Sequence, residues 1–148
     1  MSVAEAKEFI DIYFNRYPMI RKFIDSSINT ARIEGYVTTL FGRRRYLPEI
    51  NSSNVSLRQF AERTAVNSII QGTAADMIKI AMIEIDREMA GMKSMMIMQV
   101  HDELVFDVHK PELDKMKTLV RDRMENCVKL SVPITVEMGV GDNWLESK

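Results

Sequence analysis

Apolar residues recur at helical spacing from the first turns of the chain. Phe9, Ile10, Tyr13 and Phe14, then Ile20, Phe23, Ile24 and Ile28, predict helix from Ala4 to about Ile33. Pro18 interrupts this stretch and pushes Tyr17 away from helical geometry, so two helices joined at Arg16–Pro18 are expected. Gly35 is a stop signal. Beyond it, Tyr36–Leu40 and Arg43–Leu47 are β-prone runs around a Phe41-Gly42 turn, and Pro48–Asn54 reads as loop. A long helix is then expected from about Val55 to Met89. Its apolar stripe contains Phe60, Val66, Ile69, Ile70, Met77, Ile78, Ala81, Met82, Ile85 and Met89. Gly72 sits inside it, which points to a bend or a close backbone approach there.

The last third has a different period. Met95–Val100 and Leu104–Val108 are apolar, β-prone runs separated by His101-Asp102-Glu103, the pattern of a hairpin. Pro111 opens a further helix, striped by Leu113, Met116, Val120, Met124 and Cys127. Ile134, Val136, Met138 and Val140 then alternate with polar positions, which predicts a final strand. The expected fold class is α+β: a ββαβ antiparallel sheet packed with long helices, preceded by a small helical part and a hairpin. Residues 1–54 would form one part and 55–148 the other.

Composition narrows the class without deciding it. The 148 residues are 46% hydrophobic and 28% charged, ordinary for a globular protein and unlike a disordered one. Cys127 is the single cysteine, so neither an intrachain disulfide nor a thiolate zinc cluster can form. A lone thiol suits a reducing compartment, and cytoplasm is expected. No apolar run reaches the length of a membrane span, and the charged opening Met1–Glu8, itself helical in pattern, carries no signal peptide. Net charge is −1. Its distribution is uneven: from Ala31 to Arg63, six arginines face three glutamates, a local balance of +3. Such a stretch either solvates a surface or binds phosphate.

Two constellations could carry chemistry. Asp102 and Glu103, at a tight turn between strands, would be held stiffly and aimed at solvent. Hard divalent cations such as Mg²⁺ prefer such carboxylate oxygens, with substrate phosphates completing the shell. His101 beside them could hydrogen-bond a sugar or a phosphate, although turns favour Asp for purely local reasons too. A histidine–aspartate pair also occurs in metal-dependent phosphohydrolases, where it lies on a helix; the strand-like flanks here oppose that. The second constellation is Arg63, Asn67 and Gln71. At spacings i, i+4 and i+8 each advances about 40°, so the three share one helix ridge. Amide and guanidinium donors on such a ridge could reach minor-groove acceptors that are nearly independent of base sequence. A solvated face, or hydrogen bonding to another helix, is the alternative.

These stretches together bear a resemblance to one family. Arg63–Asp76, reading Arg-Thr-Ala-Val-Asn-Ser-Ile-Ile-Gln-Gly-Thr-Ala-Ala-Asp, resembles the long palm-to-fingers helix of family-A DNA polymerases. Gln99–Phe106 resembles their hairpin bearing a catalytic aspartate. Gly35–Leu40, Gly42–Arg45 and Tyr46–Pro48 are similar to the connecting segment, and Gly141–Trp144 to the family's ending. The resemblance runs in order along the whole chain. It implies that Asp102 is a metal-binding catalytic aspartate, Glu103 an assisting acid, and His101 a residue near the primer terminus. Arg63, Asn67 and Gln71 would contact template–primer DNA. It also implies nucleotidyl transfer from deoxynucleoside triphosphates, with two Mg²⁺ ions lowering the pKa of the primer 3′-hydroxyl and stabilising the phosphate and pyrophosphate.

The family's second essential aspartate and its triphosphate-binding fingers helix have no counterpart in these residues. The chain therefore reads as a C-terminal fragment with half a metal site, expected to bind metal weakly and to be inactive alone. An open sheet edge left by a missing upstream strand would invite self-association. A stand-alone nucleic-acid-binding module without catalysis is the competing expectation.

Overall fold

The computed structural model describes residues 2–147. They form, in order, α1 (Val3–Arg16), α2 (Pro18–Glu34), β1 (Tyr36–Thr38), β2 (Arg44–Tyr46), α3 (Val55–Glu88), β3 (Met95–Val100), β4 (Glu103–Asp107) and α4 (Leu113–Asn126), with a 3₁₀ turn at Lys110–Glu112. The class is α+β, with two small antiparallel sheets, β1–β2 and β3–β4. The chain divides into two compact units, Met1–Thr73 and Ala74–Lys148.

Local chemistry sets the boundaries of the first unit. Ser2 caps α1 in a reciprocal capping box with Glu5, satisfying two otherwise orphaned backbone donors. Met1 lies outside the described residues. Pro18 stands in the first turn of α2, where its missing N–H costs nothing, and Gly35 ends that helix in the left-handed region at φ 75°. The Asn54 side chain accepts from the N–H groups of Ser56 and Leu57, starting α3. The core of this unit is small: Ala31, Val37, Leu47, Ile50, Ala61 and Ala65, with Ile69 packed against them.

Two apolar stripes are less buried than their periodicity predicts. Phe60 and Ile70 of the proposed α3 stripe are exposed, at 63% and 54%. The face of α3 that enters the core is Ala61-Ala65-Ile69, whose small residues allow α2 and the β1–β2 hairpin to come close. The stripe of α1 is likewise uncovered: Phe9 is 69% exposed and α1 has no buried residue. Periodicity marks a face suited to burial; covering it takes a second surface.

In the second unit Ile85, Met89, Met116, Leu119 and Val120 form the buried cluster, with Met96, Leu104, Phe106 and Met138 packed on it. The hairpin thus rests its inner face on α3 and α4. Ile97 is a bulge between the Met96–Phe106 and Met98–Val105 pairs, and it stays exposed with Met95 and Met98. Only one face of this sheet is packed on the cluster, and its residues are half-buried.

The final strand of the expected ββαβ sheet does not form. Residues 133–140 carry no ladder, although Ile134, Val136 and Met138 are half-buried and Thr135 and Glu137 exposed. Alternation needs only a packed face, whereas a strand also needs a neighbouring backbone to bond. The Val136 N–H instead donates to Glu125 Oε1 at 3.0 Å.

Glu112 clasps the base of the hairpin. Its Oε2 accepts from the Ser94 hydroxyl at 2.6 Å and the Ser94 N–H at 2.9 Å, and its Oε1 from the Lys93 N–H at 3.1 Å. The same hydroxyl accepts from the His109 N–H, joining both strand ends. The Ser94 hydroxyl first, then the backbone donors, hold the Glu112 carboxyl below the usual carboxylate range. A depressed folded-state pKa contributes stability above the unfolded value that is lost as pH falls through the folded one. Acid titration should therefore weaken this unit across and below the ordinary carboxylate range, and Glu112→Gln should flatten that part of the profile. Parallel acid-unfolding curves for parent and variant would refute the clasp.

Candidate nucleic-acid interface and carboxylate turn

Arg63, Asn67 and Gln71 lie on α3 in the first unit, and all three are exposed. They trail Ala61, Ala65 and Ile69 by two residues, about 200° around the helix, so the ridge faces away from the apolar seam. None of the three side chains bonds another described residue. Helix–helix hydrogen bonding within the chain, the alternative use of these amides, is therefore not made among the described residues. The three side chains lie on the exposed side of the helix, with no partner among the described residues.

The β1–β2 hairpin meets the same helix beside this ridge. Its turn is closed by the Thr39 N–H donating to the Arg43 carbonyl and the Gly42 N–H to the Thr39 carbonyl. Leu40 N–H donates to Thr73 Oγ1 at 3.0 Å, and Arg43 Nη2 to the Gly72 carbonyl at 2.9 Å. A β-carbon on Gly72 would stand 2.6 Å from Thr39 Cγ2 and 3.3 Å from Arg43 Nη2. Glycine inside a helix costs about 1 kcal/mol relative to alanine, and the close approach of the turn is what it permits. Gly72 was the sequence signal for this approach; nothing in the sequence told which segment would arrive.

The three consecutive arginines are not equivalent. Arg43 turns inward to the helix. Arg44 stacks over Tyr36, 4.7 Å from the ring centroid, and Tyr36 pairs with Tyr46 across the strands. A hydrogen bond with Tyr46, then the nearby phenols, push the Arg44 pKa up, so its charge is permanent.

In the second unit His101 and Asp102 are the two loop residues of the β3–β4 hairpin, with Val100 paired to Glu103. Both acids and the histidine are exposed. His101 has φ 55°, the sole positive value at a non-glycine residue among those described. Positive φ at the first loop position suits the two-residue turns whose twist matches the strands. It costs a side-chain-bearing residue on the order of 1–2 kcal/mol. The Gln99 amide donates to the His101 carbonyl at 2.9 Å, bracing the loop from within. Asp102 thus sits on strand-flanked backbone, which contradicts the phosphohydrolase reading.

The donor chemistry fits part of a hard-cation shell, for which one or two carboxylates with substrate oxygens suffice for Mg²⁺. Among the described residues no group of three His, Cys, Asp or Glu converges on a metal position. Nor is any described helix long and apolar enough to cross a membrane.

The description of DNA polymerase family A matches residues 1–146. DNA polymerase I of Streptococcus pneumoniae serotype 4 is 51% identical over the whole chain, and the thermostable DNA polymerase I of Thermus filiformis is 46% identical over 97% of it. The chain spans about a sixth of these curated relatives, 17% of each. A solved structure described as the POL domain of Pol1 from M. smegmatis, in complex with DNA primer-template and dNTP, is 44% identical. It superposes over 99% of this chain and 26% of that one, with a TM-score of 0.96. The mixed helical and antiparallel fold matches part of a polymerase domain. The chain belongs to DNA polymerase family A.

Proposed function

We propose that this chain is the C-terminal segment of a DNA-directed DNA polymerase, contributing one catalytic aspartate and part of the grip on template–primer DNA. The observation that carries the reading is the agreement in fold and sequence over 99% of the chain with a polymerase domain described with DNA primer-template and dNTP. In the reaction, the primer 3′-oxygen bonds the α-phosphorus of a deoxynucleoside triphosphate as the bond to pyrophosphate breaks. Divalent cations, when bound, supply charge stabilisation for that exchange and lower the pKa of the attacking hydroxyl. Asp102 would hold them, with Glu103 assisting, and the stiff turn fixes where the carboxylate stands. His101 sits beside the primer end in this reading. Arg63, Asn67 and Gln71 bind the duplex by donating to groove acceptors and phosphate.

Asp102 alone is half of a two-aspartate site, so metal binding by the isolated residues is weak. In this reading residues 1–54 belong to the fingers side and 55–148 to the palm, a functional division distinct from the compact units Met1–Thr73 and Ala74–Lys148. The two-stranded β3–β4 sheet keeps an edge open for a further strand, from elsewhere in a longer polymerase or from a second copy. The reducing cytoplasm is the setting that the single thiol suits.

Duplex affinity as a function of salt tests the DNA contact. Binding should weaken as salt rises, and Arg63→Ala should lower the salt slope by about one phosphate. Equal affinity and slope for Arg63→Ala and the parent would take Arg63 off the contact surface.

A further inference from the structure

The β1–β2 turn touches α3 at one rung, and that rung adjoins the last donor of the ridge. We propose that Arg43 is a positioning residue for Gln71, fixing the backbone from which that amide reaches duplex DNA; this rests on the duplex-binding reading above.

Three observations converge on the assignment. Gln71 is exposed and bonds no other described residue, so its placement depends on the backbone beneath it. The next residue is glycine, which gives that backbone more freedom than any other residue would. The turn restrains this same rung from outside: Arg43 Nη2 holds the Gly72 carbonyl at 2.9 Å and Thr73 Oγ1 holds the Leu40 N–H at 3.0 Å. Thr39 fills the space that a β-carbon at Gly72 would need. A helical carbonyl keeps a second lone pair after its bond along the helix, so a guanidinium can add to the ladder.

The neighbouring arginines mark the difference in role. Arg44 is stacked on Tyr36 and shows no such bond to α3, whereas Arg43 spends a donor on the helix backbone. Its Nη2 bond to the Gly72 carbonyl places Arg43 to act through the backbone beside Gln71.

The two roles separate in a binding experiment. Anisotropy titrations with a labelled primer-template duplex, at several salt concentrations, would compare the parent chain with Arg43→Ala, Gln71→Ala and the double variant. Thermal melting would check that each is folded. A positioning role through a lost hydrogen bond gives Arg43→Ala a loss of ~3- to 10-fold in affinity. The salt slope stays at the parent value, and the double variant is no weaker than Gln71→Ala alone, because the two act as one unit. A direct phosphate contact would instead lower the slope by about one and add its loss to that of Gln71→Ala, which overturns the proposal.

Arg43→Lys keeps the positive charge and loses the planar fork that reaches the Gly72 carbonyl, so it replaces Arg43→Ala if that variant does not fold. A loss of ~3-fold with unchanged slope supports the proposal, and parental affinity overturns it. Gln71→Ala at parental affinity takes Gln71 off the contact surface and overturns the proposal with it. A weakened Gln71→Ala beside an unchanged Arg43→Ala overturns the proposal alone.

Discussion

Asp102→Asn, made in a full-length polymerase that carries this segment, is expected to slow primer extension by about 1,000-fold or more while leaving duplex affinity within about twofold of the parent. The charge stabilisation supplied through a metal is worth several kcal/mol, and each 1.36 kcal/mol is about tenfold in rate. Asparagine keeps the size and the turn preference of aspartate but carries no negative charge. The fold gives no reason for a wider effect, because Asp102 is exposed at the hairpin loop and none of its side-chain bonds is to a described residue. Single-turnover extension with a saturating triphosphate would measure the loss. Extension at close to the parental rate would remove Asp102 from catalysis. On the proposed reading, which needs a second aspartate, the isolated 148 residues should extend no primer in the same assay.

Ile85→Ala should be the most damaging substitution for the unit that carries this hairpin, at about 3 kcal/mol. Ile85 is fully buried and belongs to the cluster on which Met96, Leu104 and Phe106 rest. Truncation removes the transfer free energy of three carbons and leaves a cavity between elements that are already in contact. The hairpin gains its stiffness from that cluster, because a two-stranded sheet by itself is marginal in water. Urea unfolding followed by circular dichroism would give the difference. A change below about 1 kcal/mol would show that the site collapses readily or that Ile85 carries little of the core.

Elements whose ends are set by near neighbours were legible in the sequence. Pro18 divided the opening helices, Gly35 closed the second, and the polar step His101-Asp102-Glu103 between two β-prone runs marked a hairpin, whose turn the structure narrows to His101-Asp102. The Arg63-Asn67-Gln71 ridge was readable from spacing alone. Burial was harder. Phe60 and Phe9 have the periodicity of core residues yet lie exposed, while Ala61 and Ala65, unremarkable as letters, line the seam. Leu119 enters the core although the expected α4 stripe passed it by. Ile134–Met138 alternate as a strand should and remain unpaired.

The sequence by itself determined the family, the helix and hairpin boundaries and the spacing of the ridge, because each depends on residues a few positions apart or on order along the chain. Only the tertiary structure decided which of three adjacent arginines turns to the Gly72 carbonyl, which apolar faces are covered, and that residues 133–140 run without a ladder. Those outcomes depend on what arrives from elsewhere in the chain. A side chain is buried, or a backbone paired, only when a second surface is there to exclude water and accept its hydrogen bonds.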